Sequence, residues 1–247
     1  MNYSSFFYSG VSGLVLPINK SQYPPEFQNK SRLEYYSSIF NSIEINSCFY
    51  KNPRVATVER WAQSVPSSFR FTFKLSKSVT HTKNLEFNED DVEAFIKIIH
   101  HAADKKGCLL VQFPPSLTID SLNKLQQLLR TVNFFNEGFN VCVEFRNSSW
   151  YETETYEILK EYGATMVLQD LHASASPWAD QWGNSIYVRF HGPNGGYRGS
   201  YDESFLVSKA QQIKEWIKEK KTVYCYFNNT AGDAVNNLTT LNRLVLD

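Results

Sequence analysis

The 247-residue chain has no excess of either charge: Lys+Arg and Asp+Glu both number 25, and the pI is near 7.0. Such a chain has no global positive field to collect nucleic acid or an anionic membrane, so any anion site must be local. Cysteine is sparse and unpaired. Cys48, Cys108, Cys142 and Cys225 form no C-x-x-C unit, which sets aside a zinc knuckle or a disulfide framework and fits core thiols in a reducing compartment. Cys48 falls near a strand end and is a minor nucleophile candidate. No basic segment precedes the first apolar residues and no apolar run approaches a membrane span. The expectation is a cytoplasmic chain with no membrane partner. Gly/Ser linkers, repeats and low-complexity runs are also missing, which leaves one domain over 1–247.

What is present is a regular alternation of apolar strands and amphipathic helices. Strands are expected at Phe6–Val11, Ser42–Asn46, Phe69–Lys74, Cys108–Phe113, within Asn140–Trp150, and at Ala164–Leu168, Ser185–Phe190 and Thr222–Phe227. Helical spacing predicts Ser31–Phe40, Val55–Val65, Glu89–Gly107, Asp120–Val132, Tyr151–Tyr162, Asp202–Lys220 and Asp233–Leu244. Lys105 and Lys106 would then complement the helix dipole at the end of the third, and Ser148 or Ser149 would cap the fifth. After the sixth strand only a short helical candidate near Trp178 is found. Eight strand–helix pairs predict a closed (β/α)8 barrel of the TIM type, an α/β fold. An open doubly wound sheet is disfavoured, because Gly10–Pro17 runs into a Pro-interrupted loop instead of a G-x-G-x-x-G turn.

If alternate residues point into the barrel, one face of each strand should turn polar towards the C-terminal end, where barrel active sites lie. The second strand offers Glu44 and Asn46, the third Arg70, Thr72 and Lys74, the fourth Gln112, and the fifth Glu144 and Arg146. The sixth ends in Asp170, the seventh gives Tyr187, Arg189 and His191, and the eighth Tyr224, Tyr226 and Asn228. Opposite faces are apolar, as in Phe71 with Phe73 and Val141 with Val143. Buried ions gain little over apolar packing, so a barrel built for stability alone would carry Val, Ile and Leu here. The bland reading is a salt-bridge network that merely fills the interior; a site at the mouth explains the pattern better.

Several strings also resemble a known family. They are GxSG at Gly10–Gly13, EINSCFY at Glu44–Tyr50, KxxxxVTH from Lys74 to His81, QFPPS at Gln112–Ser116 and EFRNSSW at Glu144–Trp150. YVRFHGP at Tyr187–Pro193, GYRGSY at Gly196–Tyr201, and YFNN followed by AGDAVNN through Asn237 complete the set. Together they resemble the YecE-like domain-of-unknown-function family over nearly the whole chain. Val11 and Leu14 stand where its first motif would have Thr and Trp. The resemblance implies a TIM-type barrel and brings no established activity.

The residues themselves suggest chemistry. Glu44, Glu144 and His191 are the candidate catalytic groups, as general acid, base or proton carrier. Lys74, Arg146 and Arg189 would meet an anionic group, joined in substrate binding by Asn46, Gln112, Asp170, Tyr226 and Asn228. Gly192, Gly195, Gly196 and Gly199 could offer backbone N–H groups to a phosphate, and Trp150 and Tyr197 could stack on a sugar or base. The expected protein is an enzyme, a hydrolase, lyase or isomerase without a redox cofactor, acting on a small phosphorylated, carboxylated or nucleotide-like molecule. One alternative is a metal-dependent phosphodiesterase on nucleic acid, with Glu44, Glu144, Asp170 and His191 holding a divalent cation. No H-x-x-x-H or H-x-E spacing supports it. A non-catalytic anion-binding protein is the other.

Overall fold

The computed structural model describes residues 5–16, 18–178 and 182–247. Eight strands form one sheet: β1 (Phe7–Val11), β2 (Ser42–Ile45), β3 (Arg70–Lys74), β4 (Lys106–Gln112), β5 (Asn140–Glu144), β6 (Thr165–Gln169), β7 (Ser185–Phe190) and β8 (Thr222–Phe227). Hydrogen-bonded neighbours follow the order β1-β8-β7-β6-β5-β4-β3-β2, all parallel. The helices are α1 (Arg32–Ile39), α2 (Val55–Gln63), the single turn α3 (Lys77–Thr80), α4 (Glu89–Ile99), α5 (Leu122–Phe135), α6 (Thr153–Glu161), α7 (Glu203–Lys218) and α8 (Ala234–Leu246). Local sequence fixes the starts of some of them. At α1, Ser31 Oγ accepts from Glu34 N at 3.1 Å while the Glu34 carboxylate accepts from Ser31 N at 2.7 Å, a reciprocal cap.

Between β1 and β2 there is no ladder, only an isolated Ser12–Glu44 bridge, and side chains close that seam. The buried Tyr36 hydroxyl accepts from Val11 N at 2.9 Å and donates to Ser42 O at 3.0 Å. Asn41 makes a similar pair, accepting from Ser9 N and donating to Phe7 O. The strands pass so closely that a Cβ on Gly10 would lie 2.1 Å from Ser42 O. Tyr36→Phe should strand a buried Val11 N–H and destabilise the fold by about 1–3 kcal/mol in urea unfolding. A change of only a few tenths would mean the seam is held by something else.

The large apolar cluster lies between the strands and the helices, while a separate one, including Cys108, Leu110, Cys142, Val167 and Tyr187, fills the barrel itself. Tyr226 belongs to this interior; its hydroxyl meets Ser42 Oγ at 2.6 Å and Thr72 Oγ1 at 2.8 Å. All four cysteines are free and buried. Cys48 is not placed as a nucleophile: it is buried, burial pushes its thiol up to about 12, and its single S–H lies within reach of both Ile45 O and Lys74 O.

Three expectations need correction. The helix beginning at Glu89 stops at Ile99 and gives way to 3-10 turns containing Ala103 at φ 54, so Lys106 opens β4 and does not end a helix. Neither Ser148 nor Ser149 caps α6: Ser148–Trp150 form a 3-10 turn capped by Asn147, and Glu152 precedes the helix. No helix follows β6 among the described residues. Trp178 is irregular, and residues 179–181 of the short helical candidate lie outside the described set. Gln169 organises this connection instead, donating to Ser174 O and accepting from Leu171 N at 2.7 Å. No helix among the described residues is long and apolar enough to cross a membrane.

Candidate active site

The strand alternation delivers its polar residues to the C-terminal mouth, where they form a chain of charge. Arg189 stands at the centre, 1% exposed, with Nη2 2.8 Å from Glu44 Oε1 and Nη1 2.5 Å from Glu144 Oε2. Tyr187 donates its hydroxyl to the other Glu44 oxygen, and Arg146 Nε pairs with Glu144 Oε1. The two opposed carboxylates therefore face one guanidinium, with no opening for a sugar ring between them. Burial alone would raise the pKa of both. For Glu144 the charges of Arg146 and Arg189 outweigh burial, and for Glu44 those of Arg189 and the Tyr187 hydroxyl do; both are held below the usual carboxylate range.

Arg146 carries the chain outward. Its Nη2 donates to His191 Nε2 at 3.1 Å and its Nη1 to the Tyr197 hydroxyl at 3.1 Å. A guanidinium cannot accept, so His191 Nε2 bears the lone pair and Nδ1–H points to Asp170 Oδ1 at 3.3 Å. Burial likewise keeps this imidazole neutral. Asp170 also accepts from His191 N at 2.8 Å and from the Tyr201 hydroxyl. Tyr197, at φ 60 in the left-handed region, is partly exposed above this pair.

Lys74 ends β3 differently. Its Nζ lies 3.9 Å from the centroid of Phe49 and makes no ion pair or hydrogen bond within the described residues. Burial, then the Arg189 charge, brings its ammonium down to about 8. His81 packs edge-on against the same Phe49 ring at 4.8 Å; burial and then Lys74 press its imidazole to about 4. Asn46, which follows Ile45 as Lys74 follows its partner Phe73, has a buried Oδ1 without a hydrogen bond, as does Arg189 Nε. A cleft of about 420 Å³ lined by Asp170, Trp178, Tyr201, Phe205 and Lys209 adjoins the rim.

The other expected site residues differ in how they are placed. Trp150 is core: its ring stacks on Phe145 at 4.7 Å and its indole N–H bonds Leu117 O at 2.8 Å. Tyr226 lies beneath the mouth, held by Ser42 and Thr72. Gln112 is buried and bonds Phe113 O, while Asn228 is half-buried with its N–H on Phe190 O. Asp170 lies one residue past β6; Gln169, paired with Arg189 in the ladder, holds the inward position. The glycine loop is internally bonded at three amides: Gly192 N donates to the Tyr201 hydroxyl, Gly195 N to Gly192 O and Tyr197 N to His191 O. As for a cation, the oxygens of Glu44 and Glu144 face guanidinium groups and a phenol, and no group of three or more His, Cys, Asp and Glu among the described residues is placed to hold a metal.

A family model described as "Protein of unknown function DUF72" matches residues 9–247. The chain belongs to the DUF72 family. This DUF72 protein is 26% identical over 250 residues to UPF0759 protein YunF of Bacillus subtilis (strain 168), covering 88% of this chain and 87% of YunF. It is 29% identical over 119 residues to UPF0759 protein YecE of Escherichia coli (strain K12), covering 48% of this chain and 43% of YecE, in line with the resemblance. A solved DUF72 family structure from Enterococcus faecalis V583 superposes with a TM-score of 0.79 at 21% identity, over 97% of this chain and 95% of that one. Another, from Thermotoga maritima MSB8, gives 0.77 at 24% identity, over 98% and 100%. Both support the barrel fold.

In this DUF72 protein the rim also carries His81, to which the sequence assigns no role beyond ending the VTH string. The VTH string was the available signal; its contact with Phe49 was not.

The neutral state of His191 predicts a pH effect. An unfolded imidazole takes up a proton near pH 6.5, whereas His191 in the fold resists it, so the unfolded chain binds more protons as pH falls. Stability should therefore drop below about pH 6.5, with His81 and His100 acting in the same direction. At lower pH the stability contributed by Glu44 and Glu144 is lost in turn, as they are forced to protonate. Thermal midpoints measured from pH 8 to pH 5 read this directly; a flat profile contradicts it.

Proposed function

We propose that this DUF72 protein is an enzyme that acts by acid–base chemistry, without a redox cofactor, on a small phosphorylated, carboxylated or nucleotide-like molecule at the mouth of its barrel. The observation that carries this reading is Lys74: a strand-end ammonium in ion-pair contact with no carboxylate among the described residues, seated on an aromatic ring and brought down to about 8. A network serving stability alone would leave no cation unpaired at its edge.

The roles divide accordingly. Arg189 holds Glu44 and Glu144 ionised in the barrel, and Glu144 in turn fixes Arg146. Arg146 uses three of its five N–H groups on Glu144, His191 and Tyr197, which leaves two without a partner among the described residues to meet an anion. Glu44, Glu144 and His191 become positioning residues, and Lys74 the group that moves protons. Asn46 Oδ1 and Arg189 Nε offer further unmatched hydrogen-bonding capacity at the same end of the barrel.

The test is a screen of the purified protein against phosphorylated and carboxylated metabolites, read by NMR. Consumption of one compound, with KM raised roughly tenfold or more in Arg146→Met, is the expected result. Anion binding without consumption across the panel would instead favour a non-catalytic binding protein.

A further inference from the structure

Lys74 and its surroundings also bear on which bond the substrate offers. An amine becomes a nucleophile when it is desolvated or set beside other cations, because both conditions favour its neutral form. Lys74 meets both: it lies on Phe49, is half-buried, and shares the mouth with Arg146 and Arg189. A lysine kept for charge alone would sit in contact with a carboxylate, yet the contacts of Glu44 and Glu144 go to arginines and their charges reach Lys74 only from a distance, too weakly to offset burial and the neighbouring cations. His81, on the same ring, bonds Thr80 through Nδ1 at 3.0 Å, and its other ring nitrogen has no partner among the described residues.

We infer that Lys74 forms a Schiff base with an aldehyde or ketone that carries an anionic group, the anion resting on the two unpartnered N–H groups of Arg146. This rests on the proposed function and narrows its substrate class to carbonyl compounds such as oxo acids and sugar phosphates. The nitrogen lone pair of the neutral amine adds to the carbonyl carbon, and the C=O π electrons move to oxygen, which takes one proton from nitrogen. The carbinolamine loses that hydroxyl with the second amine proton as water, and a C=N bond remains. Neutral His81 can ferry these protons. Nothing is oxidised or reduced, and no further reactant is needed.

Reductive trapping tests the step on the full chain. At pH 7 an amine titrating at about 8 is neutral on the order of a hundredfold more often than an ordinary lysine. With glyoxylate and cyanoborohydride, peptide mass spectrometry should find Lys74 modified roughly tenfold or more faster than any other lysine. Arg146→Met should remove the preference for glyoxylate over neutral acetaldehyde while acetaldehyde still labels Lys74. Lys74→Arg should leave no preferred site. Labelling spread over surface lysines, with Lys74 no faster than the rest, overturns the inference. If a metabolite is nevertheless turned over in a Lys74-dependent way, the acid–base reading survives and only the covalent step falls.

Discussion

Arg189→Met is expected to cost about 3–5 kcal/mol of folding stability, the usual loss when one partner of a buried ion pair is removed. Two carboxylates, both fully buried, bind the same guanidinium. Without it Glu44 keeps only the Tyr187 hydroxyl among the partners described, whereas Glu144 retains Arg146. The loss should therefore fall mainly on Glu44, and adding Glu44→Gln to Arg189→Met should restore part of it. Arg189→Lys should rescue poorly, because an ammonium cannot fork to two acceptors on opposite sides of a barrel. Urea unfolding of these variants gives the answer. A deficit below about 1 kcal/mol would show that the carboxylates are already protonated or solvated, contrary to their lowered pKa.

The second large effect concerns turnover. Lys74→Met should reduce kcat/KM by about 10²–10⁴-fold, the range for losing a positioned proton-transfer group. In the parent protein kcat/KM should rise with pH through an ionisation near 8, since the neutral amine is the active form. Lys74→Arg should not restore activity, because a guanidinium stays protonated. Stability separates this from misfolding. The folded state resists protonating Lys74 between about 8 and its ordinary value, so the unfolded chain binds more protons there and stability rises with pH across that window. Below it the charged, buried ammonium is a burden on the fold, and Lys74→Met should be at least as stable as the parent at pH 7. A variant that is both inactive and markedly unstable would contradict a proton-transfer role for Lys74.

Much of this architecture was legible in the residue order because a period of two is unambiguous when one face is charged. Glu44, Lys74, Glu144, Arg189 and His191 were placed at the mouth by alternation alone, and the structure puts them there. Pairing was not legible. Alternation says that Arg146 and Arg189 face inward but not that one serves two carboxylates while the other leans on His191 and Tyr197. Trp150 misled because an aromatic residue after a strand looks the same whether its ring stacks on a ligand or on Phe145. Asp170 and Gln169 were exchanged because the last residue of β6 is set by its ladder to β7, a long-range contact with no local signature. Among its described residues the connection after β6 has no helix, because its Ala-, Ser- and Pro-rich turns are tied to Gln169, which again is tertiary information.

The seam beside β1 has a consequence for biosynthesis. That strand emerges from the ribosome before all its neighbours, yet its ladder is with β8, and towards β2 it has one bridge. A nascent chain can assemble β2 through β8 in order while its first strand waits with an unpaired edge. The protein is thus most exposed to misassociation just before the last strand is translated, and a chaperone that shields the leading segment would act at that moment.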